Sequence, residues 1–181
     1  LFRQYEHILY EACRNRNVED AKRNPGRYRV PGSRRFLDRL RGAGVRNFFV
    51  TGSIVSHDAS GCPSGGIYEE VVTLGLSVGP GELVENLYGS AGDEKKAKPG
   101  VMAERARQLG MPGREILVVG DGRSEIAAGM EMEAVCISRL SPEAGRQREI
   151  HSALGTHLIV DDFNREALLN MIKEEKRRCE S

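Results

Sequence analysis

The sequence predicts a parallel α/β fold, and three observations carry that prediction. Short apolar runs alternate along the chain with stretches of helical spacing, the pattern of strands joined by crossover helices. Several runs, such as 116–119, are apolar throughout, as strands covered on both faces are. Gly44 and Gly110 follow helical stripes, where a helix C-terminus favours a residue tolerant of the left-handed conformation.

The elements follow in order. Phe2, Tyr5, Ile8, Leu9 and Ala12 lie at helical spacing, with Arg3 and Glu6 outside. Asn24-Pro25-Gly26 breaks the chain and Pro31-Gly32 opens a new unit. Phe36, Leu37, Leu40 and Ala43 form a helical stripe ending at Gly44. Residues 45–50 read as a buried strand running into Thr51-Gly52-Ser53, and a Gly/Ser-rich loop occupies 56–66. A helix over 68–76 and a strand over 84–88 follow. Pro99 suits the first turn of a helix that runs to Leu109. Beyond it come a strand at 116–119, a helix at 124–130, a strand at 134–138, a helical or irregular stretch to Ala153, a strand at 157–160 and a closing helix at 165–178.

Composition bounds what such a fold can be. The 181 residues are 29% charged and 39% apolar, enough for one full core plus an appendage. No apolar run approaches the roughly 20 residues a membrane helix needs, and no leader pattern opens the chain, so a cytoplasmic location is expected. Cys13, Cys62, Cys136 and Cys179 lie too far apart for a zinc or disulfide framework, and Cys136 reads as a small core residue. Between Arg14 and Arg46 stand eleven Lys or Arg against three acids. No aromatic ladder interleaves them, so a solvated basic surface is favoured over a nucleic-acid patch.

Three signals carry chemistry. Thr51-Gly52 sits at a strand tip, where a hydroxyl and an accessible N–H can cradle a phosphate oxygen, or simply close a local turn. Lys98 stands at a helix N-terminus beside Pro99, which is electrostatically unfavourable unless an anion sits there too; the bland reading is one more exposed lysine after Lys95 and Lys96. The third is ILVVGDGRSE, residues 116–125: an apolar strand ending in a Gly turn, with Asp121 and Glu125 four apart. Two acids on such a turn can reach one hard cation such as Mg²⁺, or merely open a helix whose first turn favours acids.

In this order the three signals resemble motifs two, three and four of the haloacid-dehalogenase-like (HAD) hydrolases. PGSRRFLDRLRGAGVRNFFVTGS is similar to the family's helix and second strand, and KPGVMAERARQLGMPGREILVVGDG to its third and fourth motifs with the helix between. ENLYGS is similar to the strand before the lysine, and AVCISR with HLIVDD to the last two core strands. The likeness covers roughly residues 31–172. It implies a Rossmannoid parallel sheet flanked by helices over 31–181, with residues 1–30 the end of a helical cap. It implies that Thr51 and the Gly52 backbone hold a phosphoryl oxygen and that Lys98 neutralises the same group. It further implies that Asp121 ligates Mg²⁺ and that Glu125 acts on the metal through water or a neighbouring ligand. Glu125 is one methylene longer than the Asp most members carry there.

The family's first motif, an apolar strand ending in Asp-x-Asp whose first acid attacks phosphorus, has no counterpart before Thr51. LIVDDF at 158–163 offers Phe where the second acid belongs. In this family that strand lies between those bearing Thr51 and Asp121, so its absence predicts two open inner edges. The chain is therefore expected to be an N-terminally truncated piece of a Mg²⁺-dependent phosphatase of a small phosphorylated metabolite, inactive alone. The alternative is a non-catalytic HAD-like binding or regulatory module. A dinucleotide-binding domain is disfavoured because Glu125 replaces the third Gly of the fingerprint, and a receiver domain because its Asp, Thr and Lys come in another order.

Overall fold

The computed structural model describes residues 18–53, 55–89, 97–165, 168 and 170. Along them come α1 (Pro25–Tyr28), α2 (Ser33–Gly42), β1 (Phe48–Thr51), β2 (Ser56–His57), β3 (Pro63–Ser64), α3 (Gly66–Thr73) and β4 (Asn86–Gly89). Then follow α4 (Lys98–Leu109), β5 (Leu117–Gly120), α5 (Arg123–Glu131), β6 (Val135–Arg139), α6 (Gly145–Ala153) and β7 (Leu158–Val160). The chain divides into two units, Leu1–Val30 with Leu37–Ala97 and Pro31–Phe36 with Lys98–Ser181. The alternation of strand and helix expected from the sequence is present, with parallel pairing in both units. The expected helix at 2–13 and nearly all of that at 165–178 lie outside the described residues. No helix among the described residues is long and apolar enough to cross a membrane.

In the first unit β1 pairs, among the described residues, with β4 alone, Phe48 opposite Asn86 and Thr51 opposite Gly89. Val18, Ala21, Leu40, Leu76, Leu83, Val84 and Leu87 are its buried apolar residues among those described. Asn47, also buried, donates to the Leu37 carbonyl at 3.2 Å and the Leu83 carbonyl at 3.0 Å. The strand read at 45–50 begins only at Phe48, and Val45 is exposed. The cause is local: the N–H of Val45 bonds back to the Leu40 carbonyl and Gly44 takes φ +84°, so Val45 belongs to the C-terminal turn of α2. β1 is half-buried along its whole length rather than buried, and among the described residues a strand covers only one of its edges.

The loop read at 56–66 is instead a small antiparallel hairpin of β2 and β3. Its turn is organised by the Asp58 carboxylate, which accepts from the Ser60 N–H and hydroxyl and from the Cys62 N–H. His57 Nε2 lies 2.9 Å from the Leu87 carbonyl, tying the hairpin to β4. The helix read at 68–76 starts at Gly66 and stops at Thr73, where Gly75 at φ +78° turns the chain. Val84 makes only an isolated bridge to Val78, and β4 starts at Asn86.

The second unit holds a parallel sheet in the order β5-β6-β7. Its core joins Val118, Ile126, Ala134 and Cys136, with Met102, Ile116, Met130 and Leu154 packed around them. Burial pushes the Cys136 thiol up to about 11, so it packs as a hydrophobe rather than reacting. α5 approaches β5 and β6 closely at Gly129, where a Cβ would stand 2.5 Å from Cys136 Sγ. Ser138, fully buried at the end of β6, bonds His151 of α6 at 2.8 Å and Thr156 at 2.9 Å. Phe36 stacks on Phe163 with ring centroids 5.1 Å apart, and the Phe163 N–H reaches the Pro31 carbonyl.

Candidate active site

In the second unit two of the three sequence signals, Lys98 and the turn with Asp121 and Glu125, meet at the carboxyl end of β5. Gly120 ends the strand, Asp121 is the next residue and exposed, and Gly122 is the N-cap of α5. Glu125, in the first turn of that helix, folds back onto the turn it follows. Its Oε1 accepts from the Gly122 N–H at 2.8 Å and pairs with Lys98 Nζ at 3.0 Å, while Oε2 accepts from the Ser124 hydroxyl at 3.1 Å. Glu125 as a whole is 4% exposed.

The two glycines make this possible. A Cβ at Gly120 or at Gly122 would stand 2.5 Å from a Glu125 atom. Glycine is thus required for close approach, not for backbone freedom. Burial pushes the Glu125 carboxyl up, but the Gly122 N–H and the Lys98 ammonium outweigh it and hold the group below its ordinary value. A buried carboxylate kept ionised by one N–H and one ammonium is stable only as a unit.

The anion that Lys98 needed at its helix N-terminus is therefore present: it is Glu125. Lys98 remains 28% exposed at its side chain, so its ammonium is not sealed in. Among the described residues no three His, Cys, Asp or Glu side chains gather as a cation site. Asp121 is the exposed carboxylate at the turn, whereas both Glu125 oxygens already accept hydrogen bonds.

Thr51 and Gly52 lie in the first unit. Thr51 Oγ1 accepts from the Ser53 N–H at 3.1 Å, the local turn that is the simpler reading of this motif. The hydroxyl still has a proton to donate, since it serves here as acceptor. Gly52 is exposed, with open space where a Cβ would stand. Opposite Thr51, Gly89 presses against the segment after β1: a Cβ there would meet Ser53 O at 2.3 Å and Val55 N at 2.6 Å.

Sequence reasoning did not single out Ser124, Gly120 or Gly122 as supports for Glu125. Their signal was legible: two glycines flanking an acid, three residues before a second acid, leave room for that second side chain to fold back.

No protein-family model matches the sequence, and no curated protein does. Among solved structures the chain is similar to a HAD family hydrolase from Deinococcus radiodurans R1, crystallised with bound phosphate and sodium. The TM-score is 0.59 at 23% identity. The fold is HAD-like. The match covers 82% of this chain and 60% of the Deinococcus protein, so the chain spans less than two thirds of that protein's length. Within the HAD-like fold, the parallel sheet flanked by helices is as the sequence predicts, and Asp121 takes the position after an open-sheet strand where ligands gather.

Proposed function

We propose that this chain is part of a hydrolase, specifically a Mg²⁺-dependent phosphatase of a small phosphorylated metabolite. The observation that carries the reading is the Lys98–Glu125 pair set directly behind the exposed Asp121. An ammonium held by one buried carboxylate, still partly open to solvent, is poised to share its charge with a phosphoryl oxygen. The fold shared with a phosphate-bound hydrolase supports the same chemistry.

In this reading Lys98 neutralises the phosphoryl group, and the role proposed for the Thr51 hydroxyl and the Gly52 N–H is to hold a phosphoryl oxygen. Asp121, an oxygen donor suited to a hard cation, would hold Mg²⁺ with ligands from outside the described residues. That ion would supply charge neutralisation on the transferred group. Glu125 orients rather than ligates, because its oxygens serve Gly122, Ser124 and Lys98. The attacking carboxylate lies outside this chain. In support, among the described residues β1 and β5 each hydrogen-bond a strand on one edge only, and these are the strands that lead to Thr51 and Asp121. A strand ending in Asp-x-Asp would complete such edges.

Titration of inorganic phosphate against the chain with Mg²⁺, followed by ³¹P NMR, tests the anion site. Saturable binding weakened about tenfold or more by Lys98→Ala is expected, the loss of one charge-assisted contact. Binding indifferent to Lys98→Ala would remove the basis of the proposal. Phosphate binding that never leads to turnover, even with the upstream strand present, would favour the non-catalytic module.

A further inference from the structure

We propose that Arg139 is a specificity-determining residue: its guanidinium binds a second anionic group of the ligand whose phosphoryl group sits at Lys98 and Asp121. The inference rests on the phosphatase reading above and deepens it.

β5 and β6 run parallel with Gly120 opposite Ser138. The residues one step further, Asp121 and Arg139, are therefore neighbours at the carboxyl edge of the sheet, where open α/β sheets place their ligands. Gly120 and Ser138 face the helices, since a Cβ at Gly120 would meet Glu125 of α5 and Ser138 bonds His151 of α6. Strand alternation turns Arg139 away from that helical face.

The Nε of Arg139 is buried and has no hydrogen-bond partner among the described residues. Glu125 is committed to Lys98 at 3.0 Å and Asp161 to Arg165 at 2.6 Å, and Asp121 makes no ion pair with Arg139 among the described residues. A desolvated guanidinium N–H without an acceptor is costly, and such a group calls for one from outside. Arg cannot discard its charge, so unlike Lys98 it keeps a full positive charge at this edge. Its planar fork matches a carboxylate or a phosphate, the shared chemistry being a two-oxygen anionic face. Arg148 does not serve it, because that side chain donates to the Leu140 and Ser141 carbonyls.

Calorimetric titration of the 181-residue chain in Mg²⁺ separates the possibilities with three probes. Glycerol 3-phosphate carries the phosphoryl group alone, 3-phosphoglycerate adds a carboxylate, and 1,3-propanediol bisphosphate adds a second phosphate. At least one doubly anionic probe is expected to bind about tenfold tighter than glycerol 3-phosphate. Which one does so tells carboxylate from phosphate. Arg139→Gln should erase that ratio while leaving glycerol 3-phosphate affinity unchanged, and Arg139→Lys, which keeps charge but not the fork, should restore part of it. Thermal melts of both variants check that they fold.

A wild-type ratio near one, or a ratio that survives in folded Arg139→Gln, overturns the proposal. Should Arg139→Gln not fold, the ratio in Arg139→Lys decides: an undiminished preference overturns the fork, a reduced one supports it. Failure of the phosphatase reading looks different. Glycerol 3-phosphate would then bind without regard to Lys98→Ala, whatever happens at Arg139. No binding of any probe overturns both.

Discussion

The two units end their strands in opposite ways. At the tip of β5 a buried carboxylate, two glycines, a serine hydroxyl and a lysine lock the turn into one arrangement. At the tip of β1 a single hydroxyl closes the turn on itself and Gly52 stands open. Burial follows the same division. β6, flanked by strands on both sides, buries three of its five residues, whereas β1 buries none of four and β5 one of four. A side chain on a strand with one free edge keeps part of its surface in water, whatever its apolarity. The comparison teaches that Lys98 and Glu125 pre-organise the turn that carries Asp121, whereas the turn at Thr51 and Gly52 is held by a single local hydrogen bond.

Several substitutions would break or sharpen that contrast. The largest loss is expected from Glu125→Ala, which strands the Lys98 ammonium and the Gly122 N–H together. Removing one partner of a buried pair costs about 3–5 kcal/mol, and the partial exposure of Lys98 puts this case near the lower end. Urea unfolding measures it, and a loss under 1 kcal/mol would show that the pair is ornamental. Gly120→Ala should cost about 2 kcal/mol by driving a methyl into Glu125. Since it acts through Glu125, its effect should shrink in the Glu125→Ala background.

The pH dependence has a definite sign. Glu125 titrates below its ordinary value in the folded chain. It therefore adds stability at every pH above its unfolded value of about 4.3, and that stability is lost as pH falls through the folded value. Glu125→Gln should flatten the acid limb of the stability curve below about pH 4.5 while leaving the curve parallel to wild type near pH 7. An unchanged acid limb would contradict the assignment of an ionised, paired Glu125.

At the open tip the effects should be small. Thr51→Val removes one hydroxyl–N–H bond and should cost about 1 kcal/mol. Asp121→Asn, exposed, should shift stability by no more than about 0.5 kcal/mol while weakening Mg²⁺-dependent phosphate binding. If Thr51→Val proved as damaging as Glu125→Ala, the contrast between a closed and an open half would fail.

Much of this was legible in the sequence. The strand and helix alternation, the Lys98-Pro99 helix start and the strand into Gly-Asp-Gly all depend on local pattern, and among the described residues these strands and helices stand within a few residues of where expected. The partner of Lys98 was not legible, because Glu125 reaches it across 27 positions of sequence. Val45 misled because an apolar residue completing a helix C-terminal turn looks, in isolation, like the start of a strand. The hairpin at 56–64 was hidden because its organiser is one Asp58 carboxylate gathering three donors, and nothing in a Gly/Ser-rich composition announces that. Arg139 carried no signal at all until its register beside Asp121 was known.

Hydrolysis of p-nitrophenyl phosphate against Mg²⁺ concentration tests the central claim most directly, using this chain and a version extended upstream through the preceding coding sequence. The account predicts no turnover above background from the 181 residues. It predicts Mg²⁺-dependent turnover from the extended chain once an Asp-x-Asp strand is included, abolished by Asp121→Ala. Turnover by the 181-residue chain itself, Mg²⁺-dependent and lost in Asp121→Ala, would contradict it, for the attacking group would then lie within these residues.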